Sequence, residues 1–291
     1  MFLIIIAESA LISVMVPIRF KRTSYRSSGA DSRIGTETSG TFFAQKLLLL
    51  MTAFSTPLVA QSAEVNVAVA ANFTAPMKLI AQSFEQKTGH KAILAFGGTG
   101  QFYAQIRHGA PFGVLLAADQ ETPSRLESEG FAVKGTSFTY ATGQLVLWSR
   151  QPDLIKDSAD VLKTARFQRI AIANPKLAPY GRAAYDVLDK LDLLSTVKPK
   201  VVEGSNIAQT FQFVSSGNAQ IGFVALSQVL EKGQIREGSG WIVPGSLYEP
   251  IRQDAVLLSS GQDNPAATAL LEYLHGDKAK AVIESFGYVV Q

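Results

Sequence analysis

Val65-Asn66-Val67-Ala68-Val69-Ala70-Ala71-Asn72-Phe73-Thr74-Ala75-Pro76-Met77 decides the fold. Its first six residues read as a short apolar strand. The polar turn that follows leads into a helix with Pro76 in its first turn, where a missing N–H costs nothing. Met77, Ile80 and Phe84 fall at i, i+3 and i+7, so one helix face is buried, and Gly89 ends the helix where a left-handed cap is favoured. Residues 91–96 read as the next strand, 100–108 as the next helix and 114–117 as a third strand. This alternation predicts a parallel sheet covered by helices.

The pattern returns further along. Residues 169–173 read as a strand, 181–191 as a helix with Ala184, Leu188 and Leu191 on one face, and 200–202 as another strand. A helix over 207–214 leads into a strand over 221–224. Two α/β units are therefore expected, each a mostly parallel sheet flanked by helices, without a residue-level internal repeat. Between them, 140–148 is an apolar strand that lacks a following helix, and 250–258 reads the same way. These two strands are expected to cross between lobes and act as a hinge, with the helices at 265–275 and 277–286 returning to the first lobe. The expected boundaries are 64–143 with 252–291 for lobe I and 144–251 for lobe II. In such an arrangement a ligand lies at the carboxyl ends of the strands.

Four strand-to-helix turns share one chemistry. Asn72-Phe73-Thr74-Ala75-Pro76, Gly97-Gly98-Thr99-Gly100-Gln101, Ala178-Pro179-Tyr180-Gly181 and Gly204-Ser205-Asn206-Ile207-Ala208 are rich in small and neutral polar residues, and none holds a carboxylate. Each would present backbone N–H groups and short polar side chains at the positive end of a helix, which suits an anion. Plainer readings stand beside this one. Glycine-rich turns are often only tight turns, and Gly97-Gly98-Thr99-Gly100 lacks the Lys-Ser/Thr of a nucleotide loop. Asn72 and Thr74 fit ordinary helix caps, and Tyr180 fits a half-buried aromatic, as do Tyr140 and Tyr185.

The first 63 residues differ in composition from the rest. They hold six of the 27 Lys and Arg and three of the 24 Asp and Glu, which leaves 21 of each sign and no net formal charge beyond residue 63. The basic character of the whole chain belongs to this leader, so nothing argues for a nucleic-acid surface. Lys46 followed by Leu47-Leu48-Leu49-Leu50-Met51-Thr52-Ala53-Phe54 reads as a signal peptide over about 46–63 that ends at Ala60 or Ala63. That apolar stretch is too short for a bilayer span of about 20 residues. A second apolar stretch at 2–18, with basic residues after it, is expected to reflect a start codon assigned too early. The chain has no cysteine, which excludes disulfides, thiolate metal sites and a lipidated cysteine. A soluble, exported, periplasmic protein without a lipid anchor is expected.

The motifs Val67-Ala68-Val69-Ala70-Ala71-Asn72-Phe73-Thr74, Phe96-Gly97-Gly98-Thr99-Gly100, Gly109-Ala110-Pro111 with Ala117-Ala118-Asp119, and Asn174-Pro175 with Pro179-Tyr180-Gly181 resemble, in order and spacing, the periplasmic molybdate-binding proteins of ABC importers. The likeness runs over about residues 65–288. It implies a two-lobed type II periplasmic-binding-protein fold that closes on a tetrahedral dianion through neutral donors. Carried over residue by residue, it implies Asn72 as the polar ligand of the first turn, with Ala71 offering backbone, and Thr99 as the hydroxyl ligand of the second. On the other lobe it implies Tyr180 in the third turn and a backbone N–H from Ile207. It further implies molybdate, and tungstate with it, as ligand, a membrane ABC permease as partner, a monomer, no cofactor and no enzymatic activity. Two positions depart from the pattern: Gly113 stands where an aspartate is common, and Ala225 stands where some members place another tyrosine ligand.

Proton chemistry narrows the ligand. Phosphate near neutral pH carries a proton and calls for an acceptor such as Asp, whereas sulfate, molybdate and tungstate need donors only. Glu203 precedes its turn, and Asp119 is expected to cap the helix containing Pro123 and Leu126. Sulfate remains an alternative, as do an effector-sensing domain and an enzyme on the same scaffold. The former would need a helix-turn-helix ahead of the core. The latter would need an acid, base or nucleophile in the cleft, and no Ser, His and Asp arrangement can be defended.

Overall fold

The computed structural model describes residues 62–290. The expected signal peptide and early start codon lie outside the described residues, apart from Ser62 and Ala63. The chain opens with β1 (Glu64–Ala70), a 3₁₀ turn at Ala71–Phe73 and α1 (Thr74–Thr88). Met77, Ile80 and Phe84 of α1 are fully buried, each contributing about 1.5–3 kcal/mol of apolar burial. Gly89 ends α1 at φ 73°, with its N–H donating to Glu85 O at 2.9 Å, the left-handed cap that glycine adopts without a Cβ penalty.

Next come β2 (Lys91–Gly97), α2 (Thr99–Arg107), β3 (Val114–Leu116), α3 (Glu121–Ser128) and β4 (Phe138–Gly143). The second half is built from β5 (Leu145–Ser149), β6 (Ile170–Ala173), α4 (Pro179–Lys190), α5 (Leu194–Val197), β7 (Val201–Gly204), α6 (Ile207–Ser215) and β8 (Ile221–Ala225). A small hairpin of β9 (Leu230–Glu231) and β10 (Gln234–Ile235) precedes β11 (Ser239–Ile242). The chain then returns through β12 (Ile251–Leu257), α7 (Pro265–His275) and α8 (Asp277–Ser285).

Two five-stranded sheets result, ordered β2-β1-β3-β12-β4 and β11-β5-β8-β6-β7. In each, three strands run parallel and the remaining two pair antiparallel. β12 and β5, the strands by which the chain arrives from the other sheet, are the ones that run against the local direction; β4 and β11, by which it leaves, run with it. The long apolar stretch at 140–148 divides at Gln144: β4 belongs to the first sheet and β5 to the second. The other crossover is completed before Ile251, because β12 lies wholly in the first sheet. One apolar core gathers Val65, Val67, Val69, Phe73, Met77 and Ile80 with residues of α7 and α8, so the final helices pack on the first sheet. A second gathers Leu145, Leu147, Ile170, Ile172, Leu188 and Phe223.

Candidate functional site

The carboxyl ends of the parallel strands of both sheets face one another, and the four acid-free turns meet there. They enclose one cavity lined by Ala70, Ala71 and Asn72 after β1, and by Gly97, Gly98 and Thr99 after β2. Ala118 follows β3, and the second half contributes Ala178, Pro179 and Tyr180 with Asn206 and Ile207. None of these residues carries a charge. The space is small: about 10 Å³ is open to the centre of a water-sized sphere, close to the least that holds one water.

Each turn is aimed by local chemistry. Thr99 begins α2 and is 2% exposed; its Oγ1 accepts the Ala118 N–H at 3.0 Å, which leaves the hydroxyl proton to be donated. Tyr180 lies in the first turn of α4 behind Pro179 and is 1% exposed. Ile207 is the first residue of α6, whose cap is Asn206: its Oδ1 accepts the Gln209 N–H at 3.0 Å. The first N–H groups of a helix have no partner within it, so those of Ala71, Thr99, Tyr180 and Ile207 sit at the positive ends of their helices. The side chain of Asn72 is differently engaged. Its amide donates to Gln253 Oε1 at 2.8 Å and to Tyr288 OH at 2.9 Å, so its two amide protons are spent behind the cavity. Thr74 does not cap α1 through its side chain; its hydroxyl donates to Ala71 O at 2.8 Å.

A buried polar layer supports the cavity and was missed in the sequence. Gln253 Nε2 donates to Tyr180 OH at 3.1 Å, while Tyr140 OH faces both Ala117 O and Gln253 Oε1 at 3.0 Å. Ser227, in the 3₁₀ turn after β8, donates to Asn72 O at 2.9 Å and lies 3.0 Å from Tyr288 OH. Tyr140 and Tyr180, expected to be half-buried, are 3% and 1% exposed because their hydroxyls find partners inside. Burial pushes both phenols well above their ordinary 10 and carries that of Tyr288 to about 12. All three therefore stay neutral and keep their protons. No strand alternation marked Gln253: in β12 every residue but Arg252 is buried, Asp254 included.

The nearby carboxylates point elsewhere. Glu203 Oε1 accepts Asn174 Nδ2 at 2.6 Å. Asp119 Oδ1 accepts the Thr122 N–H at 2.9 Å, as a cap should, and Oδ2 pairs with Arg182 at 3.3 Å. Burial raises the Asp119 carboxyl above its ordinary range, outweighing the Thr122 hydrogen bond and the Arg182 charge. Arg182 comes from α4 and also pairs with Glu121 at 3.4 Å, so it ties the second half to the first outside the cavity. Two further ties cross the seam: Gly100 N–H to Leu177 O at 3.2 Å, and Asn206 Nδ2 to Gln101 Oε1 at 3.4 Å. Of the two departing positions, Gly113 is tightly packed, since a Cβ there would stand 2.7 Å from Val65 Cγ2. Its place is structural and remote from the cavity. Ala225 is buried at the end of β8, and Tyr180 is the one tyrosine among the cavity-lining residues.

Two sheets that close neutral donors between their strand ends define a solute-binding protein of the two-lobed kind. The sequence pattern of the family described as bacterial extracellular solute-binding protein matches residues 65–289. The molybdate-binding protein ModA of Azotobacter vinelandii is 58% identical over 250 residues, covering 86% of this chain and 99% of the relative. That of Rhodobacter capsulatus is 50% identical over 234 residues, covering 80% and 91%. The solved periplasmic molybdate-binding protein of Azotobacter vinelandii superposes with a TM-score of 0.76 at 40% identity, over 78% of this chain and 99% of that one. The chain belongs to the bacterial extracellular solute-binding family, and within it to the family of the molybdate-binding proteins ModA.

Proposed function

We propose that this protein captures molybdate in the periplasm and delivers it to the permease of an ABC transporter. The observation that carries this reading is the cavity: twelve residues from two sheets, none charged, enclose one small space between helix starts. A fully deprotonated tetrahedral oxyanion needs donors and no acceptor, and such a lining supplies them. In this reading Thr99 donates its hydroxyl proton, Ala71, Tyr180 and Ile207 donate main-chain N–H groups from the starts of their helices, and Asn72 contributes through its own N–H while its amide braces the wall. The lobes are 64–143 with 252–291, and 144–251. Tungstate presents nearly the same oxygen tetrahedron and is held by the same groups.

Binding rather than chemistry is the proposed activity, because the cavity holds no acid, base or nucleophile placed for catalysis. The protein acts as a monomer without a lipid anchor, and among the described residues no helix is long and apolar enough to cross a membrane. Calorimetric titration of the purified protein with molybdate, tungstate, sulfate and phosphate tests the reading. Molybdate and tungstate are expected to bind most tightly, and phosphate to be rejected. At ligand about a thousandfold above its dissociation constant, unfolding stability rises by about 4 kcal/mol. A preference for sulfate, or no binding at all, overturns the assignment.

A further inference from the structure

Taking the cavity as an oxyanion site, we infer that Gly98 and Gly100 set how tightly it holds a ligand, because each leaves room for the two halves to meet where a side chain would wedge them apart. Neither glycine is called for by its own backbone. Gly98 caps α2 at φ −76° and ψ 143°, an extended conformation open to any residue, and Gly100 is the second residue of α2, with no positive φ. Inside a helix glycine is less favourable than alanine, because it loses more backbone freedom on folding. The reason for a glycine at position 100 therefore lies outside its helix.

That reason is the opposite half. A Cβ on Gly100 would stand 3.1 Å from Leu177 Cα and 3.2 Å from both Leu177 Cδ2 and Leu177 O. One on Gly98 would stand 3.2 Å from Asn206 Cβ, and 3.1 Å from Gln101 Oε1 at the end of a flexible side chain. Leu177 and Asn206 belong to the second half, in the turns after β6 and β7. Carbon atoms rest together at about 3.5–4.0 Å, so either methyl would push against that half. Neither neighbour yields freely, since Leu177 O accepts the Gly100 N–H at 3.2 Å and Asn206 is fixed as the cap of α6. Gly97 differs: the nearest neighbours of a Cβ there would be Phe102 and Gln101, in its own half.

The consequence reaches the ligand through geometry. Thr99 lies between the two glycines, and the cavity is lined from both halves. The spacing of the halves thus sets how many donors a bound anion meets at once, and a shift of about 0.3–0.4 Å at the seam lengthens every bond from one half to an anion held by the other. Once the halves have parted, the same methyl strikes nothing across the seam.

The test compares Gly100→Ala and Gly100→Val with the wild type by calorimetric titration with molybdate and by thermal melting without ligand. Affinity is expected to fall about 10-fold for Gly100→Ala and about 100-fold for Gly100→Val, the range that overpacking produces. The unliganded Gly100→Ala protein, whose halves are free to part, should meanwhile melt about 1–3 °C higher than the wild type, because α2 gains a better helix former. Affinity and stability then move in opposite directions. A Gly100→Ala affinity within about twofold of wild type overturns the inference. So does an unliganded Gly100→Ala protein that melts lower or fails to fold, which would place the need for glycine within the first half.

A double-mutant cycle moves the carbon itself. Gly98→Ala is expected to cost about 10-fold with Asn206 in place and under about twofold beside Asn206→Gly, which removes the Cβ that the methyl would strike and leaves an acceptable cap. Equal losses in both backgrounds overturn the role of Gly98. A wild-type protein that binds none of molybdate, tungstate, sulfate and phosphate overturns the reading of the cavity instead, and so the two failures are told apart.

Discussion

Two spaces lie between the halves of this protein, and their chemistry is opposite. The cavity at the helix starts is small and holds no charged residue. Beside it lies a groove of about 590 Å³ whose lining includes Asp119, Glu121, Asp186 and Glu249 with Arg182 and Arg252. The Arg182 side chain is 46% exposed, so its ion pairs with Asp119 and Glu121 are screened and individually weak. The division of labour is physical. In the proposed reading an anion is held by fixed dipoles in a small, buried space, where each donor acts strongly. Full charges are kept where solvent can relax around them.

Placing a charge in the neutral space breaks the contrast most severely. Thr99→Asp sets a carboxylate where an anion is proposed to lie. Like charges about 5 Å apart repel by about 3 kcal/mol at an effective dielectric of about 20, and a donor is lost as well. Molybdate affinity is expected to fall by more than about 1000-fold in calorimetric titration, with the melting curve of the unliganded protein still cooperative. Glu249→Gln, which removes a charge from the exposed groove instead, should leave affinity within about twofold of wild type. Equal effects from the two substitutions would dissolve the distinction between the spaces.

Alkali attacks the same neutrality from behind. Tyr288 titrates near its ordinary 10 in the unfolded chain and at about 12 in the fold, with Tyr140 and Tyr180 also raised. Between these values the native state binds more protons than the unfolded state, so stability falls as pH rises. The contribution is fully present below about pH 10 and lost by the time pH passes about 12, on the order of 2–3 kcal/mol for Tyr288 alone. Denaturant titrations at pH steps across this window measure it. A flat profile would show that the phenols are not held neutral by folding.

The smallest effect belongs to the charged groove. Arg182→Ala removes both ion pairs across the seam and is expected to weaken molybdate binding about two- to fivefold, within the 0.2–1 kcal/mol typical of exposed pairs. The wild-type advantage should shrink toward nothing in high salt. Titrations of both proteins at low and high ionic strength provide the check, and a loss that ignores salt would assign Arg182 a packing role.

What the sequence revealed follows from where information is local. Strands, helices and the four turns were legible because each is written within about ten consecutive residues: an apolar run, a cluster of small residues, then a periodic face. Gly89 and the Met77, Ile80 and Phe84 stripe of α1 lie where their spacing placed them. The wall behind the cavity was not legible. Asn72 meets Gln253 across 181 positions and Tyr288 across 216, and no local pattern joins residues so far apart. Asn72 itself was found for its turn, while the destination of its amide protons depended on partners that only the closed fold supplies. The division at Gln144 was hidden for a different reason. An apolar strand reads the same whether it stays in one sheet or passes between two.

The seam between the halves, with Gly100 N–H on Leu177 O and Asn206 on Gln101, bears on time as well as on affinity. A solute enclosed behind these contacts cannot leave until they part, so its residence time has a floor set by how often the protein opens. Ligands that differ in affinity should then differ mainly in how much they slow that opening, and hardly in how fast they arrive. A membrane partner that pries the seam apart would discharge the cargo without touching a single oxygen of it.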